Sequence, residues 1–597
     1  IDLPHTYSME VDECHESLSA ERLNQEGNRL YSDGQYEEAI ERYSQAIELD
    51  PSEATSLCNR SLALLKLNYY DQAIEDCSQA LEIDPRYAPA FFARGVAHLR
   101  SNRLEQAVQD FSAALQLKPD DATALCNRAI ALAQSNLMAP AIEDYTRALE
   151  LSPNYTAAVF NRGTALLKCT QYQRAIEDLT RAIELEHEFA SAYYNRGMAY
   201  MGLRQYQRAS EDLERAVELD ANDVGALYSL GLALCKHDSC NTAVLERSLE
   251  CFTRATALDG SDPHIAMRCA NVYALLQRNE QALLEYDRAI ALDPKHTTSI
   301  TARALLLLRL DRTEEALADM SRVIELNAAH SVTFNNRGTM YSKLHQFDKA
   351  IDDFSKAIEL EPMYSAAFNN RGTAYSKLHR IRDAIDDFSK AIEVKPTYAI
   401  AYNNRGNALS SLCRFGDAIN DFSRAIELEP ANAIAYFNRS NAFFYIGRLD
   451  LAIQDCNRVI ELVPTSGWGW LTLGRARARS GELQGSNQAL SRALELLTIQ
   501  ISATPNVSWL WLYRARTYRE LGVSLVSTAA SMPSSKASYD NSLFQQAESD
   551  LAQVQQLTPN LVEALIERGI VSVFTTKSST DPVSYFRKAL DTVPERM

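Results

Sequence analysis

Pro51, Pro85, Pro119 and Pro153 stand 34 residues apart, and Pro294, Pro362, Pro396, Pro430 and Pro464 keep the same step or a multiple of it among themselves. This period constrains the fold more than any other feature, because each period carries the same local instructions and must fold as the same small unit. With Ala20 as position 1, units begin at residues 20, 54, 88, 122, 156, 190, 224, 263, 297, 331, 365, 399, 433, 467, 508 and 562, sixteen in all. Length alone, at about 150 residues per domain, would divide the 597 residues into roughly four globular domains. The period replaces that division with one repeated element.

A typical unit reads Ala-Tyr-Asn-Asn-Arg-Gly-Asn-Ala-Leu at 401–409 and Ala-Ile-Asn-Asp-Phe-Ser-Arg-Ala-Ile-Glu-Leu-Glu-Pro at 418–430. Apolar residues recur at steps of three and four in both segments, which predicts two short amphipathic helices. Gly406 is expected to leave room for the second helix at Ala418, and Ala425 to let the next unit pack close. Pro430 should end the pair, since it cannot continue a helix. The pattern resembles the tetratricopeptide repeat family, through Gly338, Tyr341, Ala350, Phe354, Ala357 and Pro362 of unit 10 and their equivalents in units 11 and 12. That resemblance implies an all-α fold: an α-solenoid of about sixteen helix-turn-helix repeats forming a right-handed superhelix, with units 1 and 16 as caps.

The chain then divides into an acidic N-terminal extension at 1–19, repeats 1–6 at 20–223, and repeat 7 at 224–262 with a five-residue insertion acting as a joint. Repeats 8–14 follow at 263–507, then irregular repeats 15–16 at 508–597 with a serine-rich insertion at 523–542. The first residues lack a basic start followed by an apolar run, so no signal peptide is expected, and the opening Ile1 suggests a fragment or a processed product.

Comparing the units exposes a second regularity. Position 7, usually apolar in the family, is Arg in twelve units: Arg60, Arg94, Arg128, Arg162, Arg196, Arg303, Arg337, Arg371, Arg405, Arg439, Arg514 and Arg568. A charge inside a packed helix pair needs a partner. Position 23 supplies Asp in eleven of them: Asp76, Asp110, Asp144, Asp178, Asp212, Asp319, Asp353, Asp387, Asp421, Asp455 and Asp550. Unit 1 swaps the signs, with Glu26 and Arg42. Units 7 and 14 lose both charges together, as Leu230 with Cys251 and Leu473 with Ala489, while units 8 and 16 break the rule, with Cys269 opposite Glu285 and Arg568 opposite Tyr585. The expectation is an ion pair joining the two helices of each unit, against the alternative of two separately solvated charges.

In this family the first helices line a concave groove, so the resemblance implies three groove surfaces. Repeats 3 to 7 present an apolar one, with Phe92, Phe160, Tyr194 and Tyr228, suited to a partner helix or apolar segment. Repeats 10 to 12 present Asn335, Asn369, Asn403 and Asn407, and position 6 is Asn at Asn59, Asn127, Asn161, Asn195, Asn336, Asn370, Asn404 and Asn438. An amide both donates and accepts, so such a row suits the backbone of an extended peptide; the alternative is that each amide bonds neighbouring backbone or water. It looks like the asparagine ladder of O-linked N-acetylglucosamine transferase. Near the C-terminus Trp468 and Trp509 accompany Arg475, Arg477, Arg479, Arg514, Arg516 and Arg519, residue types enriched in binding hot spots, which suggests an acidic or phosphorylated partner.

Several functions are not expected. A net charge of -18 argues against a general nucleic-acid or anionic-membrane surface. No stretch has the roughly 18 apolar residues of a membrane span. The carboxylate clamp for chaperone tails would need three cations that Asn24, Asn28, Asn59, Pro89 and Ala93 do not supply. Phosphate-cradling loops, zinc-protease motifs and nucleophile elbows are absent from the sequence. Cys235, His237, Cys240 and Cys251 cluster in unit 7, but their spacing fits no standard zinc site. No enzyme activity, cofactor or metal is therefore expected. The reading is a non-catalytic cytoplasmic scaffold that binds protein or peptide segments. The alternatives are the targeting domain of a larger enzyme and a component of a large ciliary or cytoskeletal assembly.

Overall fold

The computed structural model describes residues 19–326, 330–530, 542–558, 561–574 and residue 585. The leading extension up to residue 18 and residues 531–541 of the serine-rich insertion lie outside the described residues. The fold is all-α, with 31 helices among the described residues. Sixteen of them begin at the first residue of a sequence unit, from Ala20 and Ala54 through to Ser508 and Val562. In repeats 1 to 15 a second helix follows, as in Ala399–Ser411 with Phe415–Leu428.

The chain forms two compact units, one up to Ala302 and one from Arg303. Within each, a first helix packs on the second helix of its own repeat, and that second helix packs on the first helix of the next repeat. Small residues set the closeness of the pair. A Cβ on Gly406 would stand 2.6 Å from the Phe422 ring, and Gly338 and Gly372 face Phe354 and Phe388 in the same way. The nearest neighbour of Gly406 is Phe422 at position 24, and the position-20 alanine also approaches in equivalent repeats, with Ala384 O 3.2 Å from a Cβ on Gly372; Ala418 and Ala425 are both fully buried in the same helix. Where position 24 carries the smaller Cys77 or Cys456, position 8 carries Ser61 or Ser440.

In thirteen repeats the backbone turns left-handed at position 15, just past the first helix. Gly34, Gly447 and Gly481 do this at φ of 81°, 81° and 90°. Ten non-glycine residues do the same, among them Asn68, Asn102, Asn136 and Thr170. At Thr170 two backbone hydrogen bonds hold the turn, Thr170 N–H to Leu167 O and Gln171 N–H to Leu166 O, both within 3.0 Å, which is the six-to-one and five-to-two pattern of a helix stop. Repeat 7 departs: Asp238 closes its first helix at φ -149°, and the second helix, Thr242–Leu258, is 17 residues long. The extra residues therefore rebuild the turn and lengthen a helix. In repeat 15 the first helix runs Ser508–Ala530, so residues 523–530, expected to open the insertion, continue that helix.

A β-branched residue in the left-handed region costs about 1–2 kcal/mol, and Asn tolerates it better. Thr170→Asn should therefore stabilise repeat 5 by about 0.5–1 kcal/mol, read as slower amide exchange in its two helices.

Candidate functional site

The eleven Arg–Asp pairs stand 2.6–2.8 Å apart. The geometry is bidentate: in repeat 11 Arg371 donates from Nε and Nη2 to the two carboxylate oxygens of Asp387, each at 2.8 Å. The remaining side of the fork points backwards. Arg371 Nη1 donates to Ser355 Oγ of repeat 10 at 2.9 Å, and Arg60, Arg94, Arg128, Arg162, Arg196, Arg405, Arg439 and Arg514 likewise reach a Ser or Thr 16 residues earlier. These hydroxyls are free to accept because they give their own hydrogen to the carbonyl one turn back, as Ser44 does to Ile40 and Ser389 to Ile385, both at 2.7 Å. One guanidinium thus joins three helices in two repeats. The carboxylates are buried. Hydrogen bonding to the carboxylate raises the Arg371 pKa, outweighing the lowering by burial. At Asp550 burial raises the carboxyl pKa more than Arg514 lowers it.

The exceptions are of different kinds. In repeat 8 Cys269 is buried and Glu285 stands 3.7 Å from Arg288 of its own helix. Arg42 and Glu26 stand 3.7 Å apart and exposed. Leu230 with Cys251 and Leu473 with Ala489 are buried apolar pairs in place of the ions. In repeat 16 Arg568 turns to Glu548 at 2.5 Å and covers the Tyr585 ring.

Asparagines on successive first helices bond one another. Asn370 Nδ2 donates to Asn335 Oδ1, Asn404 to Asn369 and Asn438 to Asn403, each at 2.9 Å. Asn59 does the same to Asn24 at 2.9 Å. Asn195 finds Thr164 Oγ1 at 3.0 Å instead, and Asn127 folds back to its own Thr123 carbonyl. Asn335 and Asn369, read from sequence as groove-facing, are buried as acceptors of this ladder, while Asn407 and the neighbouring Thr339 and Thr373 are exposed. Asn161, Asn336 and Asn403 are half-buried. Beside the ladder, position 2 exposes Val332, Ile400 and Ile434 at 50%, 48% and 59%.

The apolar residues of repeats 3 to 7 are half-buried against the core. Phe92 meets Phe111 edge-on, Phe160 meets Phe189 at 4.6 Å, and Tyr228 meets Phe252; Tyr194 packs beside them. Towards the C-terminus Trp468 packs edge-on against Phe437, and Trp509 is 46% exposed. The arginines there are not a bare basic patch. Arg475 pairs with Glu520 at 3.3 Å, Arg519 with both Glu520 and Glu567, and Arg516 with Glu567 at 2.8 Å. Arg479 lies over the Phe444 ring and donates to its carbonyl.

Cys235 contacts Ser248 Oγ and Cys251 is buried, so the unit 7 cysteines and His237 do not converge; among the described residues no group of three or more such side chains is placed to hold a metal. Burial pushes the Cys77 and Cys456 thiols up to about 12, which keeps them protonated and unreactive. No helix among the described residues is long and apolar enough to cross a membrane.

Family profiles described as tetratricopeptide repeat match residues 54–87, 92–156, 190–223, 331–364, 365–398, 399–432 and 433–465, and one described as TPR repeat matches 27–68. The chain is a tetratricopeptide repeat protein. The small glutamine-rich tetratricopeptide repeat-containing proteins beta of Rattus norvegicus and Homo sapiens are each 44% identical over 50 residues, 8% of this chain and 16% of theirs. Among solved structures, YrrB, described as a TPR protein with an unusual peptide-binding site, is 24% identical at a TM-score of 0.29, covering 31% of this chain and 96% of its own. The Cut9–Hcn1 assembly of APC/C gives 14% identity and a TM-score of 0.35, covering 78% and 98%.

As a tetratricopeptide repeat protein the chain is a protein-interaction scaffold in the general sense of its repeats. Two sets of residues in it escaped the sequence reading. The hydroxyls at position 25 were signalled by the 34-residue recurrence of Ser44, Ser78, Ser112, Thr146 and Thr180. Glu520 and Glu567 had no comparable signal, since each occurs once. Removing one member of a buried pair strands the other. Arg371→Met should therefore cost repeat 11 about 3 kcal/mol, whereas Arg371→Met with Asp387→Leu should recover most of it, as repeats 7 and 14 do naturally; local amide exchange in repeats 10 to 12 measures both.

Proposed function

We propose that this protein is a non-catalytic scaffold that holds extended segments of partner proteins along its first helices, with repeats 10 to 13 as the principal contact. The asparagine ladder carries this reading. Asn370, Asn404 and Asn438 each spend one hydrogen on an asparagine of the preceding repeat, and each of these amides has a second hydrogen and an oxygen to offer. The internal bonds fix the amides in orientation, so a peptide backbone meets donors and acceptors already aligned and loses less ordering entropy on binding. Val332, Ile400 and Ile434 beside the row supply apolar contacts for the side chains of such a segment. A cytoplasmic location fits buried cysteines used as small apolar residues, such as Cys58, Cys126 and Cys456.

The test is crosslinking to natural partners from a photoreactive residue at Ile400 or Ile434, compared with one at the exposed Lys390 of a second helix. Partners should crosslink from Ile400 and Ile434, and combined Asn370→Ala, Asn404→Ala and Asn438→Ala should weaken capture at least about tenfold. Crosslinks from Lys390 alone, or capture unchanged in a triple variant of normal helical circular dichroism, would overturn the reading.

A further inference from the structure

The charged residues of repeats 14 to 16 form one continuous row. It runs from Arg475 to Glu520, from Glu520 to Arg519, from Arg519 to Glu567 and from Glu567 to Arg516, with separations of 3.3, 3.0, 3.2 and 2.8 Å. All five side chains come from first helices, Gly467–Ser480, Ser508–Ala530 and Val562–Phe574. Three guanidinium groups share two carboxylates, and Arg479 on the same first helix as Arg475 adds a further exposed cation. In a chain of net charge -18 this is a local excess of positive charge.

The row is also imperfectly paired. Arg519 Nε and Glu567 Oε2 face each other at 3.2 Å, yet neither atom has a hydrogen bond among the described residues, although Glu567 is only 8% exposed. A buried carboxylate oxygen without a donor is costly, so Glu567 holds its place on the arginines weakly compared with the bidentate aspartates of the repeat seams. Arg516 meets it through Nε alone, which leaves the in-plane Nη hydrogens of that guanidinium for another acceptor. Trp509, one turn before Tyr513 and 46% exposed, stands on the same helix as Arg516.

We propose that this row is a binding site for an acidic peptide segment, kept closed by the chain's own Glu520 and Glu567 until carboxylates of the ligand replace them on Arg475, Arg516 and Arg519. The proposal rests on the reading of the first helices as the partner-facing side, and adds to it a partner chemistry and an internal competitor. Glutamate neutralisation should therefore strengthen binding, the opposite of what loss of a structural ion pair would do.

The experiment uses the full chain and fluorescein-labelled hexaglutamate, read by fluorescence anisotropy, with hexaglutamine as control. Hexaglutamate should bind and weaken as salt screens the contact. Glu567→Gln should bind it about tenfold more tightly, and Arg516→Ala with Arg519→Ala at least about tenfold more weakly. Glu520→Gln provides the same comparison if Glu567→Gln loses helical circular dichroism. Unchanged affinity in the glutamine variants, retained affinity in the arginine variant, or capture of a phosphoserine peptide without carboxylate side chains in preference to hexaglutamate would overturn the proposal. Because the ladder variants of repeats 10 to 13 leave this row intact, failure here with normal ladder-dependent crosslinking removes the acidic site alone.

Discussion

The seam between helices in this protein is organised by one side chain, the arginine at position 7. A guanidinium presents donors in three directions of one plane, and here two are taken by an aspartate 16 residues later and the third by a hydroxyl 16 residues earlier, as Arg371 shows with Asp387 and Ser355. Lysine, a point charge on a flexible stem, could not meet both at once. The desolvation of such a group offsets much of its attraction, so its effect is on register more than on stability. Each arginine fixes the angle of its own helix pair and, through the hydroxyl, the placement of the pair before it.

Apolar packing supports the same geometry with matched sizes. Gly338, Gly372 and Gly406 admit the rings of Phe354, Phe388 and Phe422, while Ser61 and Ser440 stand opposite Cys77 and Cys456. Repeats 7 and 14, which lack both charges, fill the seam with Leu230, Cys251, Leu473 and Ala489. Loss of one charge alone would leave the other buried without a partner, which accounts for the joint loss in repeats 7 and 14. Repeat 8, with Cys269 at position 7, keeps an acid at position 23, and its Glu285 turns to Arg288 of its own helix at 3.7 Å.

Much of the fold was legible because one chain carries sixteen versions of the same unit. The helix pairs follow from apolar spacing, and the pairing of Arg60 with Asp76, repeated ten times more, could be read from joint presence and joint loss. The hydroxyls carry no charge to match, so only the recurrence of Ser44, Ser78 and Ser112 at the same step marks them in the sequence. Spacing places both Ala418 and Phe422 on the buried face opposite Gly406, but does not say that the ring of Phe422, one helical turn on, makes the closest approach. The row from Arg475 to Arg516 was half visible. Its arginines stood out beside the tryptophans, but Glu567 belongs to the next repeat, beyond an insertion that breaks the register by which other partners were found.

A constant seam is what allows the neighbouring positions to differ. With position 7 turned inward in the same way from one repeat to the next, positions 5 and 6 of adjacent first helices come into hydrogen-bond range, and their identity decides what forms there. Asn404 meets Asn369, Asn195 meets Thr164, and Asn127 returns to its own helix. At repeats 14 to 16 the seam charge and the surface charge are no longer separate systems: Arg514 keeps the bidentate pair with Asp550, while Arg516, two residues on, shares Glu567 with Arg519. Seam pairs have one acid for each base and stay closed. The row beyond them has fewer acids than bases, and that imbalance is the physical difference between an ion pair that fixes a fold and one that a ligand can enter.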